Sequence, residues 1–249
     1  MTDHRPDATS ASSPVSNPVS GTAPGPDAAP LPIRDAATVI ALRRTGSGPA
    51  VLMGQRGAGA AFMPSKFVFP GGAADPGDAG LPFARPLETA CAARLGPTAA
   101  TLAGAAIREL FEETGLRLGR PGAWQDPPAD WADFAATGLR PDALPLRFIF
   151  RAITPRGRPR RFDARFLLID AADLDGDPDD FSRATDELSH LAWVPLAETR
   201  ALDLPFITEV VLAEVSAALA AAGNGPIPRP AGVPFFDNSG AVSRFRRIA

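Results

Sequence analysis

The chain has one cysteine, one lysine and two histidines in 249 residues. A lone Cys91 excludes an intramolecular disulfide framework and any cysteine-rich zinc site. It reads instead as a small apolar residue on a helix. His4 and His190 cannot support Ser-His-Asp chemistry at the acidic motif described below, so nucleophilic hydrolase chemistry is set aside. With Lys66 the only lysine, every other cation is arginine, a bias that accompanies many alanines, prolines and glycines. The net charge of −3 provides no basic field of the kind that draws nucleic acid non-specifically, and no nucleic-acid partner is expected. The opening residues lack a basic stretch followed by an apolar one, and no long uncharged apolar run occurs anywhere. No membrane association is therefore expected, and the reading is a soluble, cytoplasmic protein.

A hydrophobic content of 45% at this length suffices for a substantial core. Residues 1–34 are mostly Ser, Thr, Pro, Ala and Gly without Phe, Tyr or Trp, and are expected to form a disordered tail. Residues 36–44 and 50–56, separated by Gly46-Ser47-Gly48, read as a hairpin, and 66–69 as a short strand ending at Pro70-Gly71-Gly72. Helices are expected at 87–95 and at 98–114, the second stopped by Gly115. Residues 119–145, rich in Pro, Asp and Trp, read as a long loop or lid with a short helix at 129–137. Strands follow at 147–153, 162–170 and 190–194, then a helix at 207–222. Residues 223–249 are expected to wrap the surface as a C-terminal extension.

The chemistry lies in Arg108-Glu109-Leu110-Phe111-Glu112-Glu113-Thr114-Gly115-Leu116. On a helix Glu109, Glu112 and Glu113 stand at i, i+3 and i+4 and share a face, while Ala103, Ile107, Leu110, Phe111 and Thr114 form a core stripe. Carboxylates packed this closely repel one another, and a divalent cation removes the penalty. Oxygen donors suit Mg²⁺ or Mn²⁺, whose remaining positions are commonly filled by substrate phosphate. Arg108 reaches Glu112 at i+4 and would orient it. The plainer reading is a solvated acidic face balanced by Arg108 and Arg117. The glycine turn upstream favours the functional one, because glycines there admit a close backbone approach.

Taken together, these residues resemble the Nudix box. The run Arg-Glu-x-x-Glu-Glu-x-Gly plus an aliphatic residue is its second half. Gly72, followed six positions later by Asp78, is similar to its first half, with Asp in place of Glu. Arg108 stands 30 positions after Asp78 against eight in the standard box, which implies an insertion of 22 residues, about 79–100. That interruption, the run Phe62–Gly72 and the later Arg161–Phe166 resemble the branch that includes peroxisomal acyl-coenzyme A diphosphatases and bacterial relatives. The resemblance spans roughly residues 35–222 and implies an α/β fold, the Nudix α/β/α sandwich with a mixed β-sheet. It also implies metal-dependent hydrolysis of a phosphoanhydride bond in a nucleoside diphosphate linked to another moiety, extending to coenzyme A or acyl-coenzyme A. Metal ligands carried over are Glu109, Glu112, Glu113 and the Gly72 carbonyl, with Mg²⁺ or Mn²⁺ as cofactor. Which carboxylate acts as general base stays open.

Further candidates are less specific. Glu187 occupies a place where related enzymes often carry an acid facing the metal, though a plain loop carboxylate fits equally. Arg56, Gly71, Gly72, Arg161 and Arg165 are candidate substrate contacts. Arg151, Arg156, Arg158 and Arg160 crowd the same hairpin as the last two and could together take a 3′-phosphate, against the plainer view of a solvated hairpin tip. Trp124, Trp131 and Phe134 could stack on a base or pin a loop to the core. Two other functions stay open: a nucleotide-sensing module without catalysis, and a housecleaning nucleoside triphosphate pyrophosphatase. The expected partner is a small-molecule phosphoanhydride. Oligomeric state is not legible in the sequence.

Overall fold

The computed structural model describes residues 32–223, 225–227 and 229–249. The expected tail therefore lies outside the described residues up to position 31. The first strand, β1 (Ile33–Thr45), begins two residues before the expected domain boundary. It turns through Gly46-Ser47 into β2 (Gly48–Arg56), antiparallel and in register from Thr45 opposite Gly48 to Leu42 opposite Val51. Two short strands, β3 (Phe67–Val68) and β4 (Gly71–Ala73), then pair with β2 and β1 respectively. A 3-10 turn at Pro76–Asp78 leads to α1 (Thr89–Leu95) and α2 (Ala99–Thr114).

After α2 come β5 (Gly119–Pro121), α3 (Ala132–Ala135) and β6 (Leu139–Pro141). They are followed by β7 (Arg147–Ile153), β8 (Arg161–Asp170), β9 (Leu188–Pro195), α4 (Phe206–Ala222), β10 (Val233–Asp237) and β11 (Arg244–Ile248). Along the main sheet the order is β11-β10-β7-β8-β1-β2-β3, with β4 joined to β1 and β9 to β2. The sheet is mixed, since β1 runs parallel to β8 and β10 parallel to β7 while the other pairings are antiparallel.

Successive side chains of a strand point to opposite faces, and β1 uses both. Ala37, Val39 and Ala41 join Leu102, Ala103, Ala106, Ile107 and Leu110 of α2 in one core. Ile40 and Leu42 join Val211, Leu212 and Val215 of α4 in the other. Burial on both faces explains why β1 is a nearly continuous apolar run instead of an alternating one. The result is the expected α/β/α sandwich.

Two expectations are corrected. Residues 119–145 are no lid: β5 and β6 form a two-stranded ribbon, and Trp131 and Phe134 are buried, the latter with its ring 5.3 Å from that of Phe111 on α2. These aromatics thus pin the excursion to the core and have no free face for a base. The C-terminal extension does not merely wrap the surface. Val233 and Phe235 are buried as β10 takes the free edge of β7, and β11 closes that side.

Candidate active site

The acidic helix α2 is buried along most of its length and ends where Gly115 takes the left-handed conformation (φ 77°), its N–H donating to the Phe111 carbonyl at 2.7 Å. Its last turns face β4, which is held against β1 with Thr38 opposite Gly71. Glycine is required by the backbone at Gly71 and leaves room for a carboxylate at Gly72. A Cβ on Gly71 would lie 2.6 Å from the Ala37 carbonyl and the Thr38 Cα, and one on Gly72 would overlap the Glu109 carboxylate. The Gly71 N–H in turn donates to Glu113 Oε2 at 2.8 Å.

Arg108 organises the rest. Its Nε and Nη2 donate to the two oxygens of Asp78 at 2.9 and 3.0 Å, Nη2 also reaches the Ala73 carbonyl, and Nη1 donates to Glu109 and Glu112, each at 3.0 Å. Burial draws the Arg108 pKa downward, but the Asp78 hydrogen bonds and the charges of Glu109, Asp78 and Glu112 outweigh it, and the net shift is upward. Arg108 is therefore a fixed cation.

The carboxylates behave differently. Desolvation is the largest influence on all three and raises each. Glu109 rises to about 7, with Arg108 opposing and Glu112 and Glu187 adding repulsion. Glu113 rises to about 8, with the Gly71 N–H opposing and Glu109 and Glu187 adding to the shift. The charge of Glu187 thus reaches both carboxylates. The segment before β9 is tied to the end of α2 by the Thr185 N–H on the Glu112 carbonyl at 3.0 Å. Arg56, at the end of β2, opposes the rise of Glu113, and its buried Nε has no hydrogen-bond partner among the described residues.

Among the described residues no group of three or more His, Cys, Asp or Glu side chains is preassembled around a cation position; Glu109 and Glu112 turn to Arg108, and Glu113 to Gly71. The donor chemistry nonetheless fits a hard divalent ion, because every available donor is oxygen and the carboxylates, Glu113 buried and Glu109 and Glu112 partly so, are desolvated without full compensation.

Arg161 and Arg165, expected as substrate contacts, are both taken up by partners within the fold. Each is buried. Arg161 donates to the Thr154 and Asn238 carbonyls, and Arg165 to Asp35 and the Asp163 carbonyl. Arg151 is engaged by Asp163 through two hydrogen bonds. Composition announces charge but not whether a neighbouring strand has already used it. Conversely, Asp75 and Asp130 went unnoticed in the sequence: Asp75 lies 3.7 Å from Arg108, and Asp130 adds repulsion at Glu112. The 18 positions separating Asp130 from Glu112 carry no periodic signal. A cavity of about 450 Å³ between α1, the start of β7 and Pro226, Ile227, Arg229 and Pro230 shares no residue with the acidic face.

Residues 32–215 match the family model described as the NUDIX domain. A curated relative from Caenorhabditis elegans, described as putative nudix hydrolase 7, is 32% identical over 177 residues, which cover 65% of this chain and 51% of the relative. The chain thus spans about half the length of that curated relative. The crystal structure of a NUDIX hydrolase from Alicyclobacillus acidocaldarius is 30% identical, with a TM-score of 0.59, covering 79% of this chain and 98% of that one. With the match extending over most of the chain, and the glycine turn and acidic helix lying within it, the chain belongs to the Nudix family.

Proposed function

We propose that the chain is a hydrolase that cleaves a phosphoanhydride bond in a nucleoside diphosphate linked to another moiety, with Mg²⁺ or Mn²⁺ held by Glu109, Glu112, Glu113 and the Gly72 carbonyl. The observation that carries this reading is the packing of a partly buried Glu109 against Gly72 and a buried Glu113 against Gly71, with their carboxyl groups raised to about 7 and about 8. Two desolvated acids side by side are costly in a scaffold and useful in a cation site. A bound divalent ion supplies charge neutralisation for the pyrophosphate oxygens and a lowered pKa for water.

The chain's own residues do the remainder. Arg108 holds Glu109 and Glu112 at a set spacing, the Gly71 N–H fixes Glu113, and Arg56, half-buried at the end of β2, is the candidate cation for substrate phosphate. Glu187, exposed beside Glu109 and Glu113, is a second acid from another element and a candidate to accept the proton of water. Coenzyme A or acyl-coenzyme A is the finer substrate reading, supported by the interrupted box. On the arginine hairpin only Arg156, Arg158 and Arg160 remain exposed to take a 3′-phosphate.

The test is Mg²⁺-dependent turnover of coenzyme A, acyl-coenzyme A, NADH, ADP-ribose and nucleoside triphosphates by the native chain and by Glu112→Gln/Glu113→Gln. Cleavage of one class, lost in the variant, is the expected result. Tight binding of one member without cleavage would overturn the hydrolase in favour of a sensor.

A further inference from the structure

Asp78 is the hub behind the acidic face. It ends the 3-10 turn Pro76–Asp78, its side chain has no solvent exposure, and it lies 30 positions before the arginine it holds. Its carboxylate accepts from four donors. Two come from Arg108, one from the Asp75 backbone N–H at 2.8 Å, and one from the indole N–H of Trp131 at 3.3 Å. Aspartate has one methylene fewer than the glutamate of the standard box, and the backbone compensates. Gly104, in mid-helix, lets the turn press directly onto α2: a Cβ there would lie 2.7 Å from the Asp78 carbonyl oxygen and 3.2 Å from its Cβ. A glycine inside a helix is unfavourable unless something must come close, and here that is the turn carrying Asp78.

Trp131 reaches the same Asp78 oxygen that Arg108 Nε does. It is fully buried, with its ring 5.5 Å from that of Trp124 and 5.4 Å from that of Phe134. Packing alone would be satisfied by any large aromatic ring, whereas the N–H requires an acceptor in a dry interior, and the acceptor is Asp78 Oδ1. With Nε and Nη2 of Arg108 occupied by Asp78 and the Ala73 carbonyl, only Nη1 is left to face Glu109 and Glu112.

We infer that Trp131 is a positioning residue for the acidic face: its indole N–H orients Asp78, Asp78 aims Arg108, and Arg108 sets the spacing of the Glu109 and Glu112 carboxylates. The inference rests on the proposed reading of that face as a cation site, and it assigns the ribbon of β5 and β6, with the turn and helix between them, a part in setting that site.

Trp131→Phe keeps an aromatic ring in the core but removes the N–H together with part of the indole's volume, so the lost packing is judged against a second core truncation. Full-length native chain, Trp131→Phe and a packing control on the far side of the sheet, Val215→Ala, are compared by melting temperature, by Mn²⁺ titration followed through the paramagnetic resonance of free Mn²⁺, and by kcat and KM on whichever substrate is turned over. The expected result for Trp131→Phe is Mn²⁺ binding weakened about tenfold, a fall in kcat with KM unchanged, and a melting temperature no lower than that of Val215→Ala. Val215→Ala should bind Mn²⁺ as the native chain does. Native Mn²⁺ affinity in Trp131→Phe, or equal weakening in Val215→Ala, overturns the inference. A native chain that binds Mn²⁺ but hydrolyses nothing overturns the hydrolase reading alone, because the Mn²⁺ titration still decides the role of Trp131. A native chain that binds no Mn²⁺ overturns both.

Discussion

A methyl group at position 72 would occupy the space of the Glu109 carboxylate, so Gly72→Ala tests the site at its smallest scale. The side chain that must yield is the one drawn between Arg108 Nη1 and the turn. Turnover should fall by about two orders of magnitude, because a displacement of about 1 Å at a reacting centre has that effect. The melting temperature should change little, since the clash is with the end of a side chain and not with backbone. Circular dichroism melts beside initial rates check both halves; a variant that melts early and retains activity when folded would place Gly72 in the scaffold instead. At this scale the helix spacing made Glu109, Glu112 and Glu113 legible, because i, i+3 and i+4 are geometric facts of any helix. Arg161 and Arg165 were not legible as structural residues: their partners Asp35, Asp163, Thr154 and Asn238 are supplied by other parts of the fold.

Among the elements, those that declare themselves by local pattern were found where expected: the β1–β2 hairpin, α2 with its glycine stop, β7, β8 and α4. The C-terminal strands were hidden because their reason for being is remote. Val233–Asp237 sits among prolines and glycines, and it becomes a strand by taking up the edge of β7, more than 80 positions earlier. The ribbon of β5 and β6 was hidden for a different reason, each partner being only three residues long and too short to show a period. A chain ending at Gly223 would leave β7 as an unprotected edge and uncover the core that Val233 and Phe235 close. That truncation should lower the melting temperature and promote concentration-dependent aggregation, read by light scattering during a thermal ramp. Scattering equal to that of the full chain would show that β10 and β11 are dispensable decoration.

For the molecule as a whole, the raised carboxyl groups couple stability to pH and to the cation. Glu109 and Glu113 titrate at about 7 and about 8 in the folded chain against an ordinary value of 4.5. Between these values the folded state holds more protons than the unfolded one, so stability falls as pH rises. Their contribution is complete below about pH 4.5 and lost as pH passes through 7 to 8. In the presence of a chelator the melting temperature should fall between pH 5.5 and 8.5 by an amount on the order of 5 °C. A cation binds the deprotonated carboxylates, so saturating Mg²⁺ should raise the melting temperature more at pH 8.5 than at pH 5.5 and flatten the profile. Glu109→Gln/Glu113→Gln removes both titrating groups, and in that variant the chelated protein should lose the alkaline decline and gain nothing from Mg²⁺. A decline that survives in the double variant would locate the pH sensitivity outside the acidic helix. A Mg²⁺ gain that survives would mean that the ion stabilising the fold is held elsewhere than at the turn of Gly71 and Gly72.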